Sequence, residues 1–478
     1  MGKAARDARE RSHTSDVRPP RPADPPRRGV PRVTPITPGG AGSDYTIGRV
    51  LRGISIHETG PSMAVGTSGL ATSPAEAPPG RGEDGRPPLR IGLMLRGIDE
   101  YDGAGVYIRK LLDALLELDR SNHYVLFYAN DGQRGRYAHL PNVREVVVRA
   151  PGKLLWDQVA VPLAAWRERL DVLFHHKFSI PVVAPCPTIV QQRGTEYWTF
   201  PEYYATLGDR INRVYNVLSI PLFCRRAARV LTNSDSLARE LEQVAGVPRE
   251  KMATVYAAAD ERFTPITDPS VLGRVRAQYG IPDRPCFLMV VKGYARIEYA
   301  GQALCPRKNV EGTLEAYARA RTAQPDMPPM VILGAGVRER LTPEVLRDRY
   351  HLDPAAVIIP GLIAHDDMPA VYSLGGALLF PSYYESFGIP LVEAMACGCP
   401  VITSSAPACP EVVGDAALIV DPDDVDGLAA AMLRLACEPG LAGALRARGL
   451  VRAAEFSWHE GAGRLLGELT RVGRAGSA

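Results

Sequence analysis

The sequence predicts an α/β protein made of two facing Rossmann-like domains, each a doubly wound parallel sheet, with a cleft between them. Short apolar runs alternate with helical patterns from residue 89 onward, which is the signature of βα units. The alternation breaks once, over residues 260–265, and a second series starts near Cys286. Residues 1–88 show neither pattern and hold 14 of the 42 prolines.

That tail is rich in Pro, Arg and Gly and buries too little apolar surface to offset the entropy of ordering it, so it is expected to be disordered. The remaining boundaries are read as an N-terminal domain over 89–265, a C-terminal domain over 266–455, and a terminal helix and tail over 456–478 that crosses back to the first domain. The chain has 56 Lys and Arg against 53 Asp and Glu, and residues 1–88 account for 13 and 9 of these. The folded part is near neutral, and no nucleic-acid partner is expected.

The first domain opens on the apolar run 90–95, which reads as a buried strand. A glycine-bearing turn with Gly103 and Gly105 leads into a helix over 106–118. Further strands fit 124–128, 143–148, 172–174, 188–190 and 230–232, with helices over 154–169, 209–228 and 236–245. In the second domain the strands fit 286–291, 330–333, 357–359, 377–380, 400–403 and 417–420. Its helices fit 308–321, 343–350, 390–396, 425–435 and 441–454. Two such halves place a ligand cleft at the carboxyl ends of their strands.

Metal chemistry finds no support in the spacing. The eight cysteines include no C-x-x-C and the nine histidines no H-E-x-x-H, so no metal site is expected and the thiols read as reduced and cytoplasmic. No apolar run reaches membrane-spanning length, and the N-terminus lacks the apolar segment of a secretory signal.

The stretch from Phe380 to Ala396 is the richest in chemistry. A buried strand ends, a loop with Gly388 follows, and Pro390 marks the start of a helix. The first N–H groups of that helix are unpaired within it and attract anions. Glu385 and Glu393 flank this end. A carboxylate repels phosphate but accepts hydrogen bonds from sugar hydroxyls, so the pair suits a ligand with both phosphate and vicinal hydroxyls, such as a nucleotide sugar. On spacing alone a plainer reading stays open, in which Glu393 complements the helix dipole and Glu385 is solvated.

The same stretch resembles the E-x7-E signature of retaining GT-B glycosyltransferases of the family-4, or glycosyl transferases group 1, type. The likeness continues through Cys397 to Ser404, Pro410 to Ala417, Thr232 to Ser234 and Asp260 to Phe263, and covers about residues 89–470. The resemblance implies that Glu393 binds the donor ribose and that Glu385 lies by the transferred sugar. Phe387, Gly388 and Ile389 would offer backbone donors to that sugar, and the Leu391 and Val392 amides would hold the diphosphate. Lys308 with Arg307 would clamp the leaving group, and Gly103 and Gly105 would form an acceptor or phosphate loop.

It further implies a metal-independent hexosyltransferase without a cofactor, taking a nucleotide sugar as donor and a glycan or lipid-linked acceptor. Such an enzyme is expected in the cytoplasm, with peripheral contact at the inner face of the membrane. Two features depart from the family pattern. Arg193 stands where many relatives carry a histidine that contacts the reacting sugar; Arg193 is the candidate in its place, with Glu196, His175 and His176 nearby. An apparent insertion over 292–305 separates the strand ending near Val291 from the basic pair. A non-catalytic nucleotide-sugar-binding relative and a sugar-nucleotide epimerase on the same fold remain as alternatives.

Overall fold

Apolar runs too uniformly hydrophobic to face water form the centres of two sheets, buried on both faces. The computed structural model describes residues 55–57, 86–100, 103–204, 206–291 and 306–476, within the unit Val50–Ala478. The first sheet contains β1 (Ser55–His57), β2 (Arg90–Met94), β3 (His123–Tyr128), β4 (Val143–Arg149), β5 (Val172–His175), β6 (Thr188–Gln191), β7 (Arg229–Thr232) and β8 (Met252–Thr254). They lie in the order β1-β4-β3-β2-β5-β6-β7-β8. The second sheet contains β9 (Phe287–Val290), β10 (Met330–Leu333), β11 (Val357–Gly361), β12 (Ala377–Phe380), β13 (Val401–Ser404) and β14 (Ala417–Val420), in the order β11-β10-β9-β12-β13-β14.

All pairings are parallel except β1 on β4. Both sheets are therefore doubly wound, as the alternating pattern predicts. Their strand order reverses beside β2 and beside β9, and ligands of such sheets bind where it reverses, at the strands' carboxyl ends. In the second sheet Lys308, which follows β9 in the chain, and Glu385, which follows β12, lie at that point.

Three expectations change or fall outside view. Ser55–His57 lie in the stretch expected to be disordered, yet they pair antiparallel with Arg149, Val148 and Val147. The helix expected over 154–169 is divided into Lys153–Leu155, a wide turn over Trp156–Ala160, and Val161–Arg167. Pro162 has no N–H to give the preceding turn, and the Trp156 indole N–H donates to the Val148 carbonyl at 2.7 Å. The insertion over 292–305 and the rest of the tail to residue 85 lie outside the described residues.

The two halves meet through specific polar contacts. In the first half, helix α1 (Gly103–Leu118) follows β2, α2 (Leu207–Arg226) follows β6, and α3 (Asp235–Ala245) follows β7. The first two N–H groups of α3, from Asp235 and Ser236, donate to the Glu411 carboxylate of the second half, each at 2.7 Å. The Ser236 hydroxyl donates to Glu411 at 2.7 Å and the Tyr256 hydroxyl at 3.0 Å. The third N–H, from Leu237, is taken by the Ser234 side chain at 3.0 Å. One carboxylate thus closes most of an open helix end across the boundary between halves.

Aromatic packing runs beside this contact. Tyr256 of the first half, Phe387 of the second and Phe456 form a three-ring cluster with centroids 5.5–6.1 Å apart. The chain then returns: the helix Trp458–Gly476 lies on the first half, with Trp458 edge-on to Tyr107 at 5.5 Å. Arg229 on β7 donates to both oxygens of Glu468, at 2.9 Å each. Glu411→Ala is expected to destabilise the chain by about 1.5–3 kcal/mol, since it strips the charged acceptor from several buried donors. Urea unfolding checks this, and a change within about 0.5 kcal/mol would show the contact to be incidental.

Candidate functional site

Lys308 and Glu385 are 77 positions apart in sequence, and the switch point of the second sheet brings them together. Lys308 Nζ donates to Glu385 Oε1 at 2.6 Å and lies 4.1 Å from the centroid of the Phe380 ring at the end of β12. Both side chains are nearly buried, 10% and 12% exposed. Lys308 ends a 3-10 turn, Pro306–Lys308, and Asn309 then takes a left-handed φ of 54° before α4 (Val310–Ala323) begins. This is why the helix starts two residues later than its pattern suggests. The Asn309 side chain donates to the Pro422 carbonyl at 2.7 Å, and the Tyr383 N–H donates to the Arg307 carbonyl at 2.8 Å. The Tyr383 contact fixes the basic pair against the loop that bears Glu385, and the Asn309 contact ties it to the turn after β14.

Burial alone would raise the Glu385 carboxyl, but Lys308 and Arg307 outweigh it and hold it below its ordinary range. Glu385 is accordingly an anion at neutral pH. Removing either member of such a buried pair leaves the other charge uncompensated, so both are needed together.

Helix α5 (Ile389–Ala396) starts directly after Gly388, whose φ of 93° lies in the left-handed region that favours glycine. Phe387 packs its ring into the aromatic cluster, which leaves its main chain at the loop. The Leu391 N–H, expected to be unpaired and free for a diphosphate, instead donates to the Gly388 carbonyl at 2.9 Å. Pro390 carries no N–H, so the anion-binding capacity of this end rests on fewer amides than the sequence suggests. Leu391 and Val392 send their side chains into the core.

Glu393 stands one turn along α5, where the Tyr372 hydroxyl donates to it at 3.1 Å. Burial pushes its carboxyl up to about 7, and the nearby charge of Asp260 acts in the same direction. Glu385 and Glu393 thus differ in kind. One is a paired anion and the other is a carboxyl poised near neutrality.

On the first half, Gly105 is required by close approach, because a Cβ there would come 1.8 Å from the Glu100 carbonyl oxygen; at Gly103 a Cβ would meet open space. Arg193 was expected at the reacting sugar. Its guanidinium donates to the Ala104 carbonyl at 3.0 Å and the Gly103 carbonyl at 3.3 Å, and lies 4.8 Å from the centroid of the Tyr107 ring. It clasps the first turn of α1, because the helix begins at Gly103 and takes in the glycines expected to form a turn before it. His175 and His176 are fully buried at the end of β5, with ring nitrogens on the Ser179 and Met94 carbonyls. Burial lowers the His175 imidazole to about 4 and that of His176 further below its usual value, so both are neutral.

Several residues of the site carry no spacing signal. Tyr384, beside Glu385, reaches into the first half, where the Thr195 N–H donates to its hydroxyl at 2.7 Å. That hydroxyl donates in turn to Glu240 of α3 at 3.2 Å, and Thr195 Oγ1 donates to the same carboxylate. Glu196 follows Thr195, so this bond sets it opposite Glu385. An aromatic pair before a glutamate was the only hint available. Among the described residues no cluster of three His, Cys, Asp or Glu could hold a metal ion.

Two family models match the chain, one over each half. The model described as Glycosyltransferase Family 4 matches residues 101–263, and that described as Glycosyl transferases group 1 matches residues 295–438. The O-antigen chain mannosyltransferase B of Escherichia coli is 30% identical over 266 residues, covering 55% of this chain and 64% of that protein. The alpha-D-kanosaminyltransferase of Streptomyces kanamyceticus is 27% identical over 266 residues, covering 53% and 62%. The chain thus spans less than two thirds of these relatives' length.

Among solved structures, the sucrose-phosphate synthase of Thermosynechococcus elongatus superposes with a TM-score of 0.60 at 21% identity, covering 80% of this chain and 98% of that one. Anabaena Alr3699/HepE in complex with UDP and glucose gives 0.60 at 19% identity, covering 80% and 100%. At these identities the likeness establishes the fold.

Glu393 yields a pH-dependent expectation. Its folded-state value lies above its unfolded value, so its contribution to stability is full below the ordinary carboxylate range and is lost as pH rises through about 7. Glu393→Gln has no such loss. Thermal unfolding should show the wild type falling behind Glu393→Gln between about pH 5 and pH 8, and parallel curves would refute the raised value.

Proposed function

The chain belongs to the GT-B glycosyltransferases of the Glycosyltransferase Family 4 and Glycosyl transferases group 1 kind, and on that footing we propose that it is a retaining, metal-independent hexosyltransferase. It takes a nucleotide sugar as donor and a glycan or lipid-linked molecule as acceptor. The observation that carries this reading is the buried Lys308–Glu385 pair beside Arg307, at the switch point of the second sheet.

Sugar transfer from a nucleotide develops negative charge on the departing diphosphate and positive charge at the sugar's anomeric carbon. Arg307 and Lys308 answer the first, and the Glu385 anion answers the second, in a site whose low dielectric strengthens both. Lys308 turns from Glu385 towards phosphate as the donor enters. Retention follows from attack on the same face that the diphosphate leaves, with a diphosphate oxygen taking the acceptor's proton. No side-chain base is then needed on the first half, where His175 and His176 are buried away. Glu393 accepts the ribose hydroxyls, and the Gly103–Gly105 turn, clasped by Arg193, borders the acceptor.

The mannosyltransferase of Escherichia coli and the UDP-bound structure of HepE set the first donors to try, mannose and glucose nucleotides. Glu385→Ala is expected to lower turnover by roughly 100-fold or more while leaving nucleoside diphosphate affinity intact. Steady-state transfer assays beside calorimetric titration check this, and unchanged turnover would remove Glu385 from the chemistry.

A lipid-linked acceptor also calls for a membrane-facing surface, and α2 supplies a candidate. Leu207, Ile211, Val214, Leu218 and Leu222 fall on one face of that helix and are all exposed, Leu207 at 76% and Leu218 at 70%. Arg210, Arg225 and Arg226 border the stripe, and the acidic Asp209 is spent in the helix cap. No single described helix is long and apolar enough to cross a membrane, and an exposed apolar stripe bordered by arginines suits contact in the plane of the interface. Sedimentation with vesicles containing phosphatidylglycerol should retain the wild type and release an Ile211→Asp, Leu218→Asp double variant. Equal sedimentation of the two would exclude this face.

A further inference from the structure

We propose that Glu196 is a sugar-binding residue of the first half, accepting a hydrogen bond from a hydroxyl of the same sugar that Glu385 faces from the second. The inference rests on the transferase reading above and adds a specificity determinant to it. Four observations support it.

The first is an unmet acceptor. Glu196 Oε2 is buried and has no hydrogen-bond partner among the described residues. A buried carboxylate oxygen without a donor is costly, and functional sites are where such atoms persist. The second is room made for it. The carboxylate folds back over Gly194, where a Cβ would stand 2.0 Å from Oε2. Any other residue at that position would displace the side chain.

The third is its place. Thr195, the residue before Glu196, donates its N–H to the hydroxyl of Tyr384, the residue before Glu385, at 2.7 Å. One cross-half bond therefore sets the two carboxylates on adjoining sides of the same space. The fourth is the charge around it. Arg193 from its own half, and Arg307 and Glu385 from the other, all act on the Glu196 carboxyl. Burial raises that carboxyl, and Glu385 adds to the effect while Arg307 and Arg193 oppose it.

These features select the ligand's chemistry. In its ionised form this oxygen only accepts, and it then needs an O–H or N–H donor or a cation. The arginines and Lys308 disfavour a cation, and the two carboxylates disfavour a phosphate. A neutral polyol edge remains, which is the face of a sugar ring. Arg193 is held on the Gly103 and Ala104 carbonyls, and Glu196 is the charged group of this segment with an oxygen left unmet.

The test compares ligands with and without the sugar. Calorimetric titration of the full chain would use UDP-glucose and GDP-mannose, with UDP and GDP as sugarless controls. Glu196→Ala is expected to bind the sugarless nucleotides as the wild type does and to lose roughly tenfold or more in affinity for the nucleotide sugar. Glu196→Gln, which keeps an accepting oxygen and the side-chain volume, should lose less and covers the case in which the alanine variant fails to fold. The loss should vanish with the monodeoxy sugar nucleotide that lacks the hydroxyl concerned.

Equal losses for sugar-bearing and sugarless ligands, no loss for either, or a wild type that does not favour the sugar-bearing ligand would each overturn the assignment. Transfer assays run in parallel separate the two claims. A wild type that discriminates sugars through Glu196 but transfers none would refute the transferase reading and leave the sugar contact standing.

Discussion

Glu411 carries the constraint on which the rest of the cleft depends. It belongs to the second half, yet its carboxylate takes the first two N–H groups of α3 in the first, together with the Ser236 and Tyr256 hydroxyls. A helix end of this kind holds partial positive charge and unpaired donors, so a carboxylate is the complementary group. Because several of these bonds converge on one side chain, the second half cannot shift along α3 without breaking them together. The position of β7 and α3 against the β12 loop is thereby set.

Tyr384 is the second tie, and it lies nearer the chemistry. Its hydroxyl sits between Thr195 and Glu240, one residue from Glu385 on its own chain segment and one from Glu196 on the other. Burial and the surrounding carboxylates hold the phenol protonated. A proton on that oxygen is what allows it to donate to Glu240 while accepting from the Thr195 N–H. The Tyr256, Phe387 and Phe456 rings fill the apolar remainder of the boundary. The same loop thus bears the Glu385 carboxylate, a structural hydroxyl and a structural ring, so any change in it acts on the meeting of the halves as well as on the site.

Within the site, environment separates groups that the sequence writes alike. Glu385, Glu393 and Glu196 are all half-buried glutamates, and loss of water around the carboxyl raises each. Lys308 and Arg307 reverse the effect for Glu385. Glu393 meets a tyrosine hydroxyl and the charge of Asp260, and its carboxyl is pushed up to about 7. Glu196 lies between arginines and a second carboxylate, and remains raised. Opposite shifts arise from one residue type, set by which cations the fold delivers to each.

The sequence by itself determined what depends on local pattern. Buried parallel strands are continuous apolar runs, so β10, β12 and β14 could be read to the residue, and the alternation with helices gave both doubly wound sheets. The glutamates at 385 and 393 stood out because turn chemistry and a helix start mark the carboxyl end of a strand, and the basic pair at 307–308 through its resemblance to the family's basic element. Tertiary structure decided what depends on distant partners. Arg193 was placed by the first turn of α1, 89 residues away. The Leu391 amide was taken by a carbonyl whose orientation follows from the φ of Gly388. Glu411, Tyr384 and Glu196 gained their roles from the meeting of the halves. A periodicity records which face of an element is buried, but a hydrogen bond between halves leaves no period in either.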